Sequence, residues 1–305
     1  MRVLIAILVF IAAGVYWFIL DGSTPKNADY EFPLAQMRGL IDADDGPLPT
    51  ALNVEIISTD EAPLLAAHAG FHFKPFQLAM TSFQVKGGNS DGGGDIIIGG
   101  AMDKTLYEPT KQSDNATFSD AGYRRMLDAM LASDATLITH EHIDHLGGIV
   151  RAPDPAALAP HLMLSAPQLS AMAEFAGDDG LAAAYKNLAP TDLSAPRLLA
   201  PGVVVAPTPG HSPGSQVFLI RTDNGEEYLL IGDIVWTMKN VEKAWGRPRL
   251  LQYMFFKEDR AQVQRQVRAL NALSAAEPAL TLLPSHDKAW IDALIAAEKL
   301  GENFQ

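Results

Sequence analysis

The chain has 305 residues, 48% of them hydrophobic, enough to bury one large core or two small ones. A formal charge of −13 and a pI near 5.0 repel nucleic-acid phosphates, and the densest basic spots, Arg124-Arg125 and Arg247-Pro248-Arg249, read as solvated surface. Cysteine is absent, which excludes disulfides, thiolate ligands and cysteine nucleophiles, so any metal must be held by histidine and carboxylate.

From Val3 to Leu20 the sequence VLIAILVFIAAGVYWFIL carries no charge. As a helix this run spans roughly 27 Å, close to the hydrocarbon thickness of a bilayer. It is long for a signal peptide and ends in bulky Trp17-Phe18-Ile19-Leu20, so residues 1–21 read as an uncleaved anchor in preference to a removed signal. Arg2 favours the cytoplasmic side for the N-terminus, which places the remainder outside, in a periplasm if the cell is Gram-negative. Residues 22–50 mix Pro, Gly and acids without lasting periodicity and read as a linker with one helical turn, before a folded domain over 51–305.

Within that domain NVEIIS (53–58), MTSFQV (80–85) and DIIIGG (95–100) have strand character. Between the last two, GGNSDGGGD (87–95) lacks the Gly-Lys-Ser/Thr ending of a phosphate loop and reads as a mobile hairpin tip, with an active-site flap as the alternative. His68, His72 and His161 receive no role; His72, between Phe71 and Phe73, reads as structural or surface, with FHFKPF (71–76) lining a pocket or touching lipid as the alternative. A helix over 120–132 carries Tyr123, Met126, Leu127, Met130 and Leu131 on one stripe, and ATLIT (135–139) is the strand that follows. Ser165-Ala166-Pro167-Gln168 has capping-box spacing and predicts a helix start. Strands at 203–207, 216–221, 227–232 and 281–284 and helices near 259–274 and 288–299 complete a mixed α/β layer structure, with Asp223-Asn224-Gly225 as a tight hairpin turn.

Chemistry concentrates in THEHIDHLGG (139–148), where His140, His142, Asp144 and His145 crowd into six positions. Imidazole and carboxylate reach a metal at only about 2.0–2.2 Å, so several must converge from a stiff frame, and a turn leaving a strand provides one. There His140 and His142 can point to one side and Asp144 and His145 to another, which suggests adjacent metal sites. His211, Asp233 and His286 each follow an apolar strand and small residues, an arrangement that places ligands on a rim of strand ends. Gly210-His211-Ser212-Pro213-Gly214 also matches a serine-nucleophile elbow, with Asp233 and His286 in order. Pro213 lacks the N–H that an oxyanion hole needs, and a strand, not a helix, follows, which argues against a serine hydrolase.

This set of seven residues resembles the metallo-β-lactamase-fold superfamily of metal hydrolases, over roughly residues 51–299. The resemblance implies an αββα sandwich with two divalent ions at one edge, His140, His142 and His211 on the first, Asp144, His145 and His286 on the second, and Asp233 bridging. Gly99 stands where the family's early strand usually leads to an aspartate, and Trp236 where its lactonases often carry a tyrosine. With no cysteine, the chain looks more like the lactonase, glyoxalase II and phosphodiesterase branches.

The expected activity is metal-assisted hydrolysis of an ester, thioester, lactone or lactam carbonyl in a small molecule, with Asp144 as acid–base group and zinc preferred, manganese or iron being compatible. A phosphodiesterase on the same site, a mononuclear iron oxygenase and a binding protein with a vestigial site are the alternatives. No nucleic-acid partner is expected, and the membrane is met through the N-terminal helix.

Overall fold

The computed structural model describes residues 1–27, 29–72, 74–87, 94–178 and 180–305. The expected hairpin tip at 87–95 therefore falls largely outside the described residues. The strands in chain order are β1 (Ala51–Pro63), β2 (Pro75–Lys86), β3 (Ile96–Ile98), β4 (Thr117–Phe118), β5 (Ala135–Leu137), β6 (Arg197–Ala200), β7 (Val203–Pro207), β8 (Gln216–Arg221), β9 (Glu227–Gly232), β10 (Leu280–Pro284) and β11 (Gly301–Glu302). They form a six-stranded sheet in the order β11-β1-β2-β3-β5, with β4 also on β1, and a five-stranded sheet in the order β10-β9-β8-β7-β6.

Period-2 alternation sorts the apolar residues of these strands into layers. Val203, Val205, Phe218, Ile220, Tyr228 and Leu230 face the first sheet, where they meet Leu52, Val54, Phe83, Val85, Ile96, Ile98 and Leu137. The intervening Val204, Ala206, Val217, Leu219, Leu229 and Ile231 face outward onto Val263, Val267 and Leu270 of the helix Arg260–Ala276. On the far side of the first sheet Ile57 and Ile97 pack on Met126 and Met130 of the helix Asp120–Ala132 and on Leu146 and Ile149 of Ile143–Val150. Strands buried on both faces, with helices outside each sheet, give an αββα sandwich.

Most expected elements are present, and two differ. The hairpin β1–β2 is longer than its apolar cores, paired from Ala51↔Lys86 to Pro63↔Pro75 across a bulge between Ile56 and Ser58. The linker expected over 22–50 is not a free tether. Leu34–Asp42 forms a helix whose Leu34, Met37 and Ile41 are buried in the core beneath β7 and β8, and Arg38 pairs with Glu227 at 2.6 Å and Glu277 at 3.2 Å. The spacing 34-37-41 is helical, but Pro33 and the acidic, Gly-Pro-containing stretch 42–47 masked it. Met37→Ala is expected to lower stability by about 2–5 kcal/mol, the cost of truncating a buried methionine. A free tether would give no change in a urea unfolding midpoint.

The helix Arg2–Leu20 stands apart from these layers and buries none of its residues, and it is long and apolar enough to cross a membrane. At the β1–β2 tip, His68 is buried, and neither of its ring nitrogens finds a hydrogen-bond partner among the described residues. Burial, then the neighbouring His72 and Lys239, pull its pKa from 6.5 to about 4. Unfolded chains take up this proton below about 6.5 while the folded chain refuses it until about 4, so stability falls as pH drops through that window. Substituting His68→Leu is expected to flatten the pH dependence of unfolding between those values.

Candidate metal centre

Four strand ends meet at one edge of the sandwich. β5 runs through Ile138 and Thr139 into His140, and His142 caps the helix Ile143–Val150, whose first turn carries Asp144 and His145. That helix sits tightly on the segment after β3: Gly100 N–H donates to His145 O at 2.9 Å and Gly148 N–H to Ala101 O at 3.0 Å. A Cβ at position 148 would collide with the Gly100 carbonyl, which is the physical reason for glycine there. Gly99 has φ +103° with its would-be Cβ against the Thr81 carbonyl, so an aspartate at this position would be strained. His211 follows β7, Asp233 follows β9 and His286 lies just beyond β10.

All seven sequence-predicted residues come together. His140, His142 and His211 form one group, and Asp144, His145, Asp233 and His286 another, each with one donor atom per residue within 4.8 Å of the others. In the first, His142 Nδ1 is 3.1 Å from His140 Nε2 and 2.9 Å from His211 Nε2. In the second, His286 Nε2 is 3.2 Å from His145 Nε2, 3.1 Å from Asp233 Oδ2 and 3.2 Å from Asp144 Oδ2. Asp233 lies between them, its Oδ2 also 3.7 Å from His211 Nε2 and 3.9 Å from His140 Nε2, and its Oδ1 3.5 Å from His145 Nε2.

Partners behind the rings decide which nitrogens face inward. His286 Nδ1 donates to the Ala79 carbonyl at 2.7 Å and His211 Nδ1 to the Glu258 carboxylate at 2.7 Å, so Nε2 of each ring points into the cluster. Thr139 Oγ1 lies 3.1 Å from His140 Nδ1 and 3.3 Å from His145 Nδ1, holding both rings from the rear. Glu258 is buried and also accepts from Arg247 at 2.6 Å and Gln252 at 2.8 Å, while Arg247 donates to the Asp233 backbone carbonyl at 2.6 Å. Burial pushes the Glu258 carboxyl up, but Arg247 and His211 outweigh it and hold the pKa below the usual range. Trp236 donates its indole N–H to Asp233 Oδ2 at 2.7 Å.

Sequence reading missed Glu258, whose surroundings carry no motif, and took Arg247 for solvated surface, whereas it is buried because Glu258 and the Asp233 carbonyl accept its hydrogen bonds. It also passed over Glu141, the unassigned position inside the histidine cluster, which accepts from Ser212 Oγ at 2.7 Å and from Gly214 N–H at 2.9 Å. Ser212 is thus bonded to a carboxylate and to Ser215, not to a histidine, which removes the nucleophile-elbow reading.

The donor set fits divalent cations. His142 Nδ1 has two other imidazole nitrogens at hydrogen-bonding distance, and Asp233 Oδ1 is buried with no hydrogen-bond partner among the described residues. Burial, then His145, depresses the His140 pKa, and burial, then His211, brings His142 to about 4, so both offer lone pairs at neutral pH. Burial opposes charge on His286, yet Asp233 and Asp144 raise its pKa well above the usual value. Its proton supplies the positive charge that two carboxylates demand, and a cation would do the same. Beside the cluster a cavity of about 230 Å³ is lined by Asp60, Met80, Met102, Tyr107, Ile143, Asp144, Trp236 and Phe256 among others.

Comparison with solved structures finds the same architecture. A quorum-quenching N-acyl homoserine lactone lactonase aligns over 81% of this chain and 96% of its own, with 16% identity and a TM-score of 0.60. A probable metal-dependent hydrolase from Staphylococcus aureus covers 79% and 91% with 14% identity and a TM-score of 0.55. AidC, a dizinc quorum-quenching lactonase, covers 78% and 88% with 15% identity and a TM-score of 0.51. Comparison with curated proteins gave no match. The family profile of the metallo-beta-lactamase superfamily matches residues 133–304, a span that begins just before the histidine cluster and takes in every strand-end donor, and the chain belongs to that superfamily.

Proposed function

We propose that the protein is a two-metal hydrolase acting on the carbonyl of a small-molecule ester, thioester, lactone or lactam. The observation that supports this most is the convergence of two donor groups beside a cavity, with Asp233 of the second group also 3.7 Å from His211 and 3.9 Å from His140 of the first. His140, His142 and His211 would hold one cation, Asp144, His145 and His286 the other, with Asp233 touching both. Zinc suits these donors best, and manganese or iron is chemically compatible. When bound, such ions bring the pKa of water from about 15.7 toward 7 and polarise a carbonyl oxygen.

The chain's own residues do the rest. Asp144, whose side chain is 21% exposed, faces the cavity and is placed to carry a proton to the departing oxygen or nitrogen. Trp236 steadies Asp233 through its indole N–H, a donor role that a tyrosine would not fill in the same way. Met80, Met102, Ile143, Trp236 and Phe256 form an apolar wall on which the hydrocarbon part of a substrate can pack. Among the described lining residues are Asp60 and Asp144 but no lysine or arginine, which favours a neutral carbonyl substrate over a phosphodiester.

The N-terminal helix would anchor this domain to a membrane, with Arg2 on the cytoplasmic side. Purified protein is expected to carry about two zinc ions per chain, and chelation to remove turnover of an aryl ester or lactone until zinc is restored. One iron per chain with oxygen uptake would replace this reading by the oxygenase, and turnover indifferent to chelation would end it.

A further inference from the structure

One segment of chain, 244–256, touches the end of the N-terminal helix and reaches the lining of the cavity. Arg249 makes the first of these contacts: its guanidinium stacks on Trp17 at 3.7 Å from the ring centroid and pairs with Asp21 at 2.5 Å. Gly246 N–H donates to Gly22 O at 2.7 Å, and Thr24 Oγ1 to Ala244 O at 2.8 Å, so the residues leaving the helix are stitched to the segment 244–249. Directly beyond Arg249 come Leu250, Tyr253, Met254 and Phe255, respectively 36%, 57%, 67% and 69% exposed. The next residue, Phe256, turns inward to line the cavity and packs edge-on against Trp236, with ring centroids 5.2 Å apart.

Four large apolar side chains within six positions held out in solvent, on a chain of net negative charge, need a covering. The helix Arg2–Leu20, with none of its residues buried and its end pinned to the same spot, indicates what supplies it. A helix that enters a bilayer brings its lipid-water boundary to its own end, here Tyr16 to Leu20, and Arg249 is in contact with that end. Tyrosine, phenylalanine, methionine and an arginine with an apolar stem suit that boundary, where ring and stem meet acyl chains and polar tips meet headgroups.

We propose that Leu250, Tyr253, Met254 and Phe255 are bedded in the interface of the bilayer that the N-terminal helix enters, and that the cavity mouth therefore opens at the lipid surface. Substrates would be amphiphilic acyl compounds already partitioned into the membrane, reaching the cavity along Phe255 and Phe256. This second part rests on the hydrolase reading, whereas the docking of the surface does not.

The natural absence of cysteine allows a direct test in the full chain reconstituted into phosphatidylcholine vesicles. A fluorophore on Phe255→Cys should be quenched at least about twofold by brominated acyl chains and protected from aqueous iodide. The same label on Asp223→Cys, at the β8–β9 turn on the opposite rim, should behave the other way. Equal access of iodide to both labels would overturn the proposal. So would protection of the Phe255 label from both quenchers, which would mean that a second copy or another protein covers the patch.

For the substrate, the double variant Tyr253→Ser with Phe255→Ser should leave kcat/KM on a short water-soluble ester unchanged. On a long-chain ester dissolved in the vesicles it should lower kcat/KM about five- to tenfold, the signature of lost interfacial access. Equal losses on both substrates would overturn entry from lipid. Absence of turnover on either would defeat the hydrolase reading and, with it, lipid entry, while the quenching result would still decide the docking.

Discussion

Asp233→Ala is expected to lower kcat/KM by roughly 10³-fold or more, beyond the 10–100-fold that loss of an outer-shell partner costs, because this carboxylate belongs to one donor group and its Oδ2 also lies 3.7 Å and 3.9 Å from two histidines of the other. Its Oδ2 is 3.1 Å from His286 and 3.7 Å from His211, and no other carboxylate oxygen in the cluster stands between the two histidine sets. Bound zinc, measured on the purified variant, should fall by at least one ion per chain. The fold should survive, since Asp233 sits past the end of β9 and its neighbours in the three apolar layers are untouched. Asp233→Asn separates charge from shape: it keeps an acceptor for the Trp236 indole but not the anion. Full activity in either variant would retire the two-metal reading, and unfolded protein in both would move the residue from chemistry to architecture.

Glu258→Ala is expected to act twice. Arg247 and Glu258 are 2.6 Å apart with side chains 2% and 0% exposed, so truncation strands a buried guanidinium and should cost about 3–5 kcal/mol in a denaturant titration. It also removes the acceptor that orients His211, which should weaken metal affinity or activity roughly 10–100-fold. These effects can be separated. Replacing both ions, Arg247→Met with Glu258→Leu, should recover much of the stability, because a buried pair exchanged for apolar groups is often near neutral. Activity should stay low, since His211 Nδ1 still lacks its carboxylate. If activity returned with stability, Glu258 would have no part in placing the imidazole.

Why the cluster was readable and its supports were not follows from distance along the chain. His140, His142, Asp144 and His145 are close in sequence because one strand-to-helix turn presents them, and His211, Asp233 and His286 each carry the mark of a strand end. The strands were readable because those of the second sheet are buried on both faces and appear as unbroken apolar runs. Glu258 meets His211 across 47 positions and leaves no periodic trace, and Glu141 looks like a spacer until the loop 212–214 folds onto it. The helix Leu34–Asp42 was hidden for a local reason: its three buried residues occupy only nine positions between a proline and an acidic turn. Its packing is tertiary, against β6 to β8, and propensity alone gave it no support.

The imidazole of His286 and the backbone of Ala79 exchange hydrogen bonds, Nδ1 to carbonyl at 2.7 Å and Ala79 N–H to the His286 carbonyl at 3.1 Å. One of these residues extends from β10 and the other belongs to β2, so the contact crosses the seam between the two layers. Neither half of the polypeptide owns a complete donor set: the turn after β5 contributes four, and the loops beyond β7, β9 and β10 contribute three. An ion held by this set would therefore need both layers in place, and would tie one to the other.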